Sequence, residues 1–203
     1  MKIICVGRNY AAHAKELSNA VPTQPLIFMK PDTALLLGNR DFYHPEFSKD
    51  IHYECEIVYR ISREGKFIDK KFASSYVDGI GLGIDFTARD IQSKIKEKGH
   101  PWTLAKMFND SAPVSTMLDP ADFPDHNNLN FELRVNGESR QVGNSSNMIF
   151  QLDVLIEYIS QFITLKKGDL IFTGTPEGVG KVNAGDHLQA QLEGKELLDF
   201  YVK

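Results

Sequence analysis

The chain has 203 residues, 42% hydrophobic and 25% charged, with a formal net charge of −4. That length and composition suit one globular domain, residues 1–203, and exclude a disordered or membrane-embedded chain. The acidic balance argues against nucleic acid as the main partner, and the longest apolar runs, such as Ala34-Leu35-Leu36-Leu37, are too short to span a bilayer.

A strand is expected at once, over residues 2–6, without the n-region, h-region and cleavage pattern of a signal peptide. Cys5 and Cys55 are two and far apart, which suggests neither a disulfide framework nor a zinc motif and points to a reducing cytoplasm. Gly7-Arg8-Asn9 ends the strand, and residues 10–17 read as a short Ala-rich helix. On it His13 and Glu16, three apart, share a face. The carboxylate can hold one ring nitrogen and leave the other as a base, or the two can be an ordinary surface pair. Residues 18–25, with two prolines, form a loop, and residues 26–30 a strand stopped by Pro31.

After a loop over 39–49, Ile51, Tyr53, Cys55, Ile57, Tyr59 and Ile61 alternate with His52, Glu54, Glu56, Val58 and Arg60, a strand pattern. Glu54 and Glu56 then point the same way, roughly 7 Å apart along the strand. Two such carboxylates repel unless their face is open to water or a cation lies between them; inside a fold, a hard divalent metal resolves the repulsion. Residues 63–66 turn and 69–75 suit a short helix. The strand predicted over 77–86 has Gly79, Gly81 and Gly83 at alternate positions, so something must pack closely on that face. It is no dinucleotide fingerprint, because the glycines lie within the strand. Asp85 ends this strand, and Thr87-Ala88-Arg89-Asp90 predicts a capping box opening a helix to Lys98. A strand-to-helix junction suits either a ligand-handling residue or a turn.

The irregular stretch 99–106 carries Trp102 and ends in Lys106, a cation for an anionic ligand or for solvent. Residues 112–118 read as a strand, 130–135 and 139–142 as a hairpin around Asn136-Gly137, and 151–163 as a helix. On that helix Leu152, Leu155, Ile156, Ile159 and Ile163 form a core stripe. The strand 170–173 leads into Gly174-Thr175-Pro176-Glu177-Gly178-Val179-Gly180-Lys181. This is one residue too long for a phosphate loop and has Val182 where Ser or Thr is needed. Its N–H groups and the Thr175 hydroxyl remain available to a small anion. A hairpin over 187–192 and 197–202 closes the chain.

Taken together and in order, Gly7-Arg8-Asn9-Tyr10-Ala11-Ala12-His13, Phe28-Met29-Lys30-Pro31, Tyr53-Glu54-Cys55-Glu56, Asp85-Phe86-Thr87-Ala88-Arg89-Asp90-Ile91-Gln92, Gly99 to Lys106 and Gly174 to Gly180 resemble the fumarylacetoacetate hydrolase family. The likeness is to its short branch of acylpyruvases and oxaloacetate decarboxylases. It implies an α+β, mostly β fold, a mixed β-sandwich roll with a few helices, usually as a homodimer. It implies that Glu54, Glu56 and Asp85 bind Mg²⁺ or Mn²⁺, and that His13, Glu16 and Lys106 are catalytic. Arg89, Gln92 and Thr175 match substrate-binding positions. Cys55, between the two glutamates, is expected to pack away from the metal. The activity implied is C–C bond hydrolysis of acylpyruvates or related 2-oxo acids to pyruvate and a carboxylic acid, with oxaloacetate decarboxylation at the same site. The alternatives are an isomerase or decarboxylase of unsaturated dicarboxylic 2-oxo acids and, from another class, a non-catalytic metal- or oxo-acid-binding module. Specificity is expected in residues 18–25 and 108–111.

Overall fold

A computed structural model describes residues 1–16 and 20–203. The loop expected from residue 18 therefore lies partly outside the described residues, as does Leu17 at the end of the first predicted helix. In chain order come β1 (Ile3–Gly7), α1 (Ala11–Glu16), β2 (Leu26–Lys30), β3 (Leu35–Leu37), β4 (Ile51–Tyr53) and β5 (Cys55–Ile61). Next are β6 (Val77–Ile84), β7 (Thr87–Ala88), α2 (Arg89–Glu97), α3 (Thr103–Lys106) and β8 (Ala112–Val114). The chain continues through β9 (Asn130–Val135), β10 (Glu138–Asn144), α4 (Leu152–Phe162), β11 (Leu170–Phe172), β12 (Gly180–Lys181), β13 (His187–Leu192) and β14 (Lys195–Tyr201).

Seven strands make a mixed sheet in the order β2-β1-β11-β5-β6-β8-β3, parallel at β1/β11 and β3/β8. A four-stranded antiparallel sheet, β10-β9-β13-β14, packs across one face. Its Phe131, Leu133, Leu188 and Phe200 join Ile57, Tyr59, Ile80 and Leu82 in the main core. This is the mostly β, curled architecture expected from the sequence.

The strand expected through 51–61 is broken at Glu54. β4 pairs with β7 and β12 in a separate three-stranded sheet, while β5 runs into the centre of the large one. The side-chain alternation survives the break. Ile51, Tyr53, Cys55, Ile57, Tyr59 and Ile61 all face the main core, and Val58 faces a second, smaller core with Ile3, Cys5 and Phe172. Cys55 is thus a packing residue.

The glycine face of β6 is filled as its pattern demands. A Cβ on Gly79 would lie 2.9 Å from Met117 Cβ, one on Gly81 would lie 2.7 Å from Ser115 Oγ, and one on Gly83 would lie 2.5 Å from the Phe172 ring. The capping box is not formed. α2 starts at Arg89, with Ala88 as its N-cap and no side-chain cap bond. Thr87 donates instead to Asp85 O, and Asp90 accepts from Ser48 Oγ. A bond two residues back to Asp85 and a tertiary one to Ser48 take the place of the cap.

Candidate active site

Register brings the carboxylates together. β5 and β6 are antiparallel with Glu56 opposite Gly83 and Cys55 opposite Ile84. The next step of the ladder is the Asp85 N–H donating to Glu54 O at 2.8 Å. Glu54, Glu56 and Asp85 are all buried, and one oxygen from each lies within 4.8 Å of the others.

Three cations surround the cluster unevenly. Lys106 Nζ, at the end of α3, donates to Glu54 Oε2 at 2.7 Å and to Asp85 Oδ2 at 2.5 Å. Arg89 Nη2 donates to Glu54 Oε1 at 2.5 Å, and Nη1 to Gln92 Oε1 at 2.7 Å. Lys30 Nζ lies 2.8 Å from Asp85 Oδ1 and donates to Phe86 O, Lys106 O, Ser111 O and Ser111 Oγ. Among the described residues no cation forms an ion pair with Glu56, which accepts the Gly174 N–H at 2.7 Å.

The electrostatics follow. Burial pushes the Glu54 carboxyl up, but Lys106, Arg89 and His13 outweigh it and hold it well below the usual range. Burial raises the Glu56 carboxyl well above its ordinary value, Asp85 and Glu54 raise it further, and the Gly174 N–H only partly opposes them. Burial lowers Lys106, yet Asp85 and Glu54 reverse the sign and raise it. Three buried, converging carboxylates make an all-oxygen donor set. It fits a hard divalent cation.

The rest of the cleft is built by the segments that the sequence singled out. His13, buried on α1, faces Glu16 with Nδ1 3.1 Å from Oε2. Glu16 Oε1 in turn accepts the Gly178 N–H at 3.1 Å. His13, Glu54, Glu56, Asp85, Arg89, Gln92, Lys106 and Thr175 all line one cleft, walled by Phe28 and Trp102, with Glu16 behind His13. The glycine-rich turn does not offer its donors to an outside anion in the way expected. Gly174 and Gly178 N–H serve Glu56 and Glu16, and Thr175 Oγ1 donates to Cys55 O. Gly174 sits at φ 98°, with Asn9 Cβ 2.7 Å from where a side chain would begin. Only glycine fits there.

Three supporting residues carried no functional assignment in the sequence. Lys30 is the buried hub beneath Asp85. Asn9, fully buried, donates to Thr173 O and Phe150 O and accepts the Phe150 N–H, fixing the entry to α1. Gln141 on β10 accepts the Cys55 N–H and donates to Thr175 Oγ1 and Pro176 O, joining the second sheet to the cluster.

The profile of the fumarylacetoacetate (FAA) hydrolase C-terminal family matches residues 2–201. The mitochondrial oxaloacetate tautomerase of Bos taurus is 42% identical over 201 residues, covering 99% of this chain and 91% of that protein. The mitochondrial oxaloacetate decarboxylase of Dictyostelium discoideum is 44% identical over 194 residues, covering 95% and 89%. The crystal structure of fumarylpyruvate hydrolase from Pseudomonas aeruginosa in complex with Mn²⁺ and pyruvate is similar with a TM-score of 0.94 at 35% identity. It matches 100% of this chain and 89% of that one.

Proposed function

Because this chain belongs to the fumarylacetoacetate hydrolase family, we propose that it is a divalent-metal-dependent, homodimeric enzyme that interconverts the keto and enol forms of oxaloacetate. Likeness to an oxaloacetate tautomerase along almost the whole chain supports that substrate. The observation that carries the chemistry is one cleft holding both a three-carboxylate cluster and a His–Glu pair. Glu54, Glu56 and Asp85 would hold Mg²⁺ or Mn²⁺, which supplies Lewis-acid stabilisation of negative charge on the substrate's 2-oxo oxygen. Lys106 donates to Glu54 and Asp85 and adds positive charge beside that oxygen. With Nδ1 turned to Glu16, His13 presents Nε2 as the base that takes a proton from substrate C3 and returns it in the reverse direction. Phe28 and Trp102, in edge contact, shield the reacting carbon from water. Two buried, unpaired thiols, Cys5 and Cys55, suit a reducing compartment such as the cytoplasm. Among the described residues no helix is long and apolar enough to cross a membrane.

A second reading, acylpyruvate hydrolysis, is favoured by the same His13–Glu16 pair, since Nε2 of His13 can equally take a proton from an attacking water. Likeness to a fumarylpyruvate hydrolase supports it too. One panel separates the readings: decay of the oxaloacetate enol by ultraviolet absorbance, CO₂ release from oxaloacetate, and pyruvate release from acylpyruvates. We expect Mg²⁺-dependent, chelator-sensitive enol–keto conversion to be the fastest. His13→Ala should slow it by about 100-fold, within the usual range for a general base, with metal affinity intact. Faster pyruvate release from an acylpyruvate would replace this reading with the second.

A further inference from the structure

Arg89 both touches the carboxylate cluster and lines the cleft, and two of its three nitrogens are held. Nη2 donates to Glu54 Oε1 and Nη1 to Gln92 Oε1. The third, Nε, is buried and has no hydrogen-bond partner among the described residues. A buried N–H is rarely left so. The small sheet supplies an acceptor. β4 and β7 are antiparallel, with Ile51 opposite Ala88 and His52 opposite Thr87, and the Arg89 N–H donates to Asp50 O at the next step. Asp50, His52, Thr87 and Arg89 therefore stand on one face, with His52 diagonal to Arg89, a spacing that long side chains bridge. His52 Nδ1 is also buried and without a partner among the described residues. The other ring nitrogen, Nε2, lies 2.9 Å from Asp50 Oδ1. A neutral ring that donates to a carboxylate through Nε2 keeps a lone pair on Nδ1. Burial, then the Arg89 charge, holds the His52 ring below its ordinary value, as two neighbouring groups would show. The same sheet face thus carries a buried donor lacking an acceptor and a buried acceptor lacking a donor.

We propose that His52 is a positioning residue for Arg89: its Nδ1 accepts the Arg89 Nε–H, directly or across one water, and Asp50 fixes the ring tautomer that allows it. In a guanidinium Nε–H and Nη2 share one edge. Glu54 and His52, two apart in the chain, hold that edge, and Gln92 holds Nη1. The remaining N–H donors are left for an oxygen of a bound ligand, and their direction is set before it arrives. The pairing mirrors Glu16–His13 with the ring nitrogens exchanged: there Nδ1 meets the carboxylate, here Nε2 does. His52 is not among the residues lining the cleft, so it acts through Arg89. The inference deepens the reading of the cleft as an oxo-acid site and rests on it for the ligand, whereas the contact between His52 and Arg89 does not depend on it.

The Arg89 Nε–H reports the contact by heteronuclear NMR, its signal assigned by loss in Arg89→Lys. Its exchange with solvent should be slow in the wild type and at least about tenfold faster in His52→Leu, the size of one hydrogen bond to a charged group. His52→Asn, whose side-chain oxygen can stand where Nδ1 was, should restore most of the protection. Asp50→Ala leaves the ring in place and frees its tautomer, so it should show a smaller change of the same sign even where His52→Leu does not fold. Calorimetry with oxalate on the Mg²⁺-loaded protein should give an affinity about tenfold lower in His52→Leu and within about threefold of wild type in His52→Asn, with Mg²⁺ affinity within about threefold throughout. Adding His52→Leu to Arg89→Lys should cost nothing more. Fast Nε–H exchange in the wild type overturns the proposal. So does His52→Asn behaving like His52→Leu, or a His52→Leu protein with wild-type oxalate affinity. Protection that follows the ring while the wild type binds no oxalate would refute the oxo-acid reading and leave the contact standing; oxalate binding and oxaloacetate turnover without protection would do the reverse.

Discussion

Glu56 and Glu54 are two residues apart and have opposite electrostatic fates. Glu54 is paired by Lys106 and Arg89, whereas Glu56 has one backbone N–H. Its carboxyl is raised by burial, Asp85 and Glu54. The sign for stability follows from linkage. Between the ordinary carboxylate range and the raised folded value, the folded metal-free protein binds more protons than the unfolded chain, so its stability falls as pH rises. A divalent cation at the cluster removes that penalty and competes with the proton. Mg²⁺ should therefore raise Tm more at about pH 8 than at about pH 5.5. In Glu56→Gln the Tm gain should be small and flat with pH, and calorimetry should show Mg²⁺ affinity down by more than about 100-fold, beyond what losing an outer partner costs. A normal, pH-dependent gain in that variant would remove Glu56 from the donor set. At this scale the sequence names the residues with unusual spacing or chemistry, such as the Glu54/Glu56 pair and His13–Glu16. It hides Gln141. There Val142 is exposed and Gln141 buried, the reverse of what hydrophobicity predicts, because bonds to Cys55, Thr175 and Pro176 set the phase of β10.

β6 shows how an element can be read without knowing what it touches. Glycine at alternate positions predicts close packing, and Phe172, Ser115 and Met117 supply it. Gly83→Ala would force the new methyl against the Phe172 ring and Val58 Cγ2. Overpacking of this kind costs about 1–3 kcal/mol, so urea unfolding should show a lower midpoint with unchanged slope. Because Gly83 faces Glu56 across the ladder, Mg²⁺ affinity should fall as well. A variant with wild-type stability would mean that β5 and β6 yield more easily than their register implies. Elements decided by distant partners are less visible in the chain. The break at Glu54 between β4 and β5 arises because Ile51 and His52 pair with Ala88 and Thr87, not with the large sheet. Nothing in the local alternation marks it. The false capping box has the same origin, since Asp90 is claimed by Ser48, 42 residues away.

For the molecule as a whole, alternation and periodicity are enough to give a mostly β fold with a core helix. The α4 stripe is buried at Leu152, Leu155, Ile156 and Ile159, with Ile163 partly so. Sheet order is not written in any local pattern, because it depends on which distant strands bury each other's apolar faces. The proposed homodimer belongs to this scale: analytical ultracentrifugation at micromolar concentration should give twice the chain mass, and a single-chain mass would overturn it. One further consequence lies in the order of the large sheet. β5, which leads out of Glu54 and carries Glu56, lies between β6 and β11. β1, the first strand made, waits for the same β11 as its parallel partner. A chain emerging from the ribosome thus holds two apolar strands with open edges until Phe172 has been synthesised. Such long-range closure makes for high contact order and slow folding, and it leaves edges that other chains can pair with in the meantime. The carboxylates come from the neighbouring β5 and β6, but the Gly174 N–H that Glu56 accepts arrives only behind β11, so the cluster gains that bond at the step that closes the sheet.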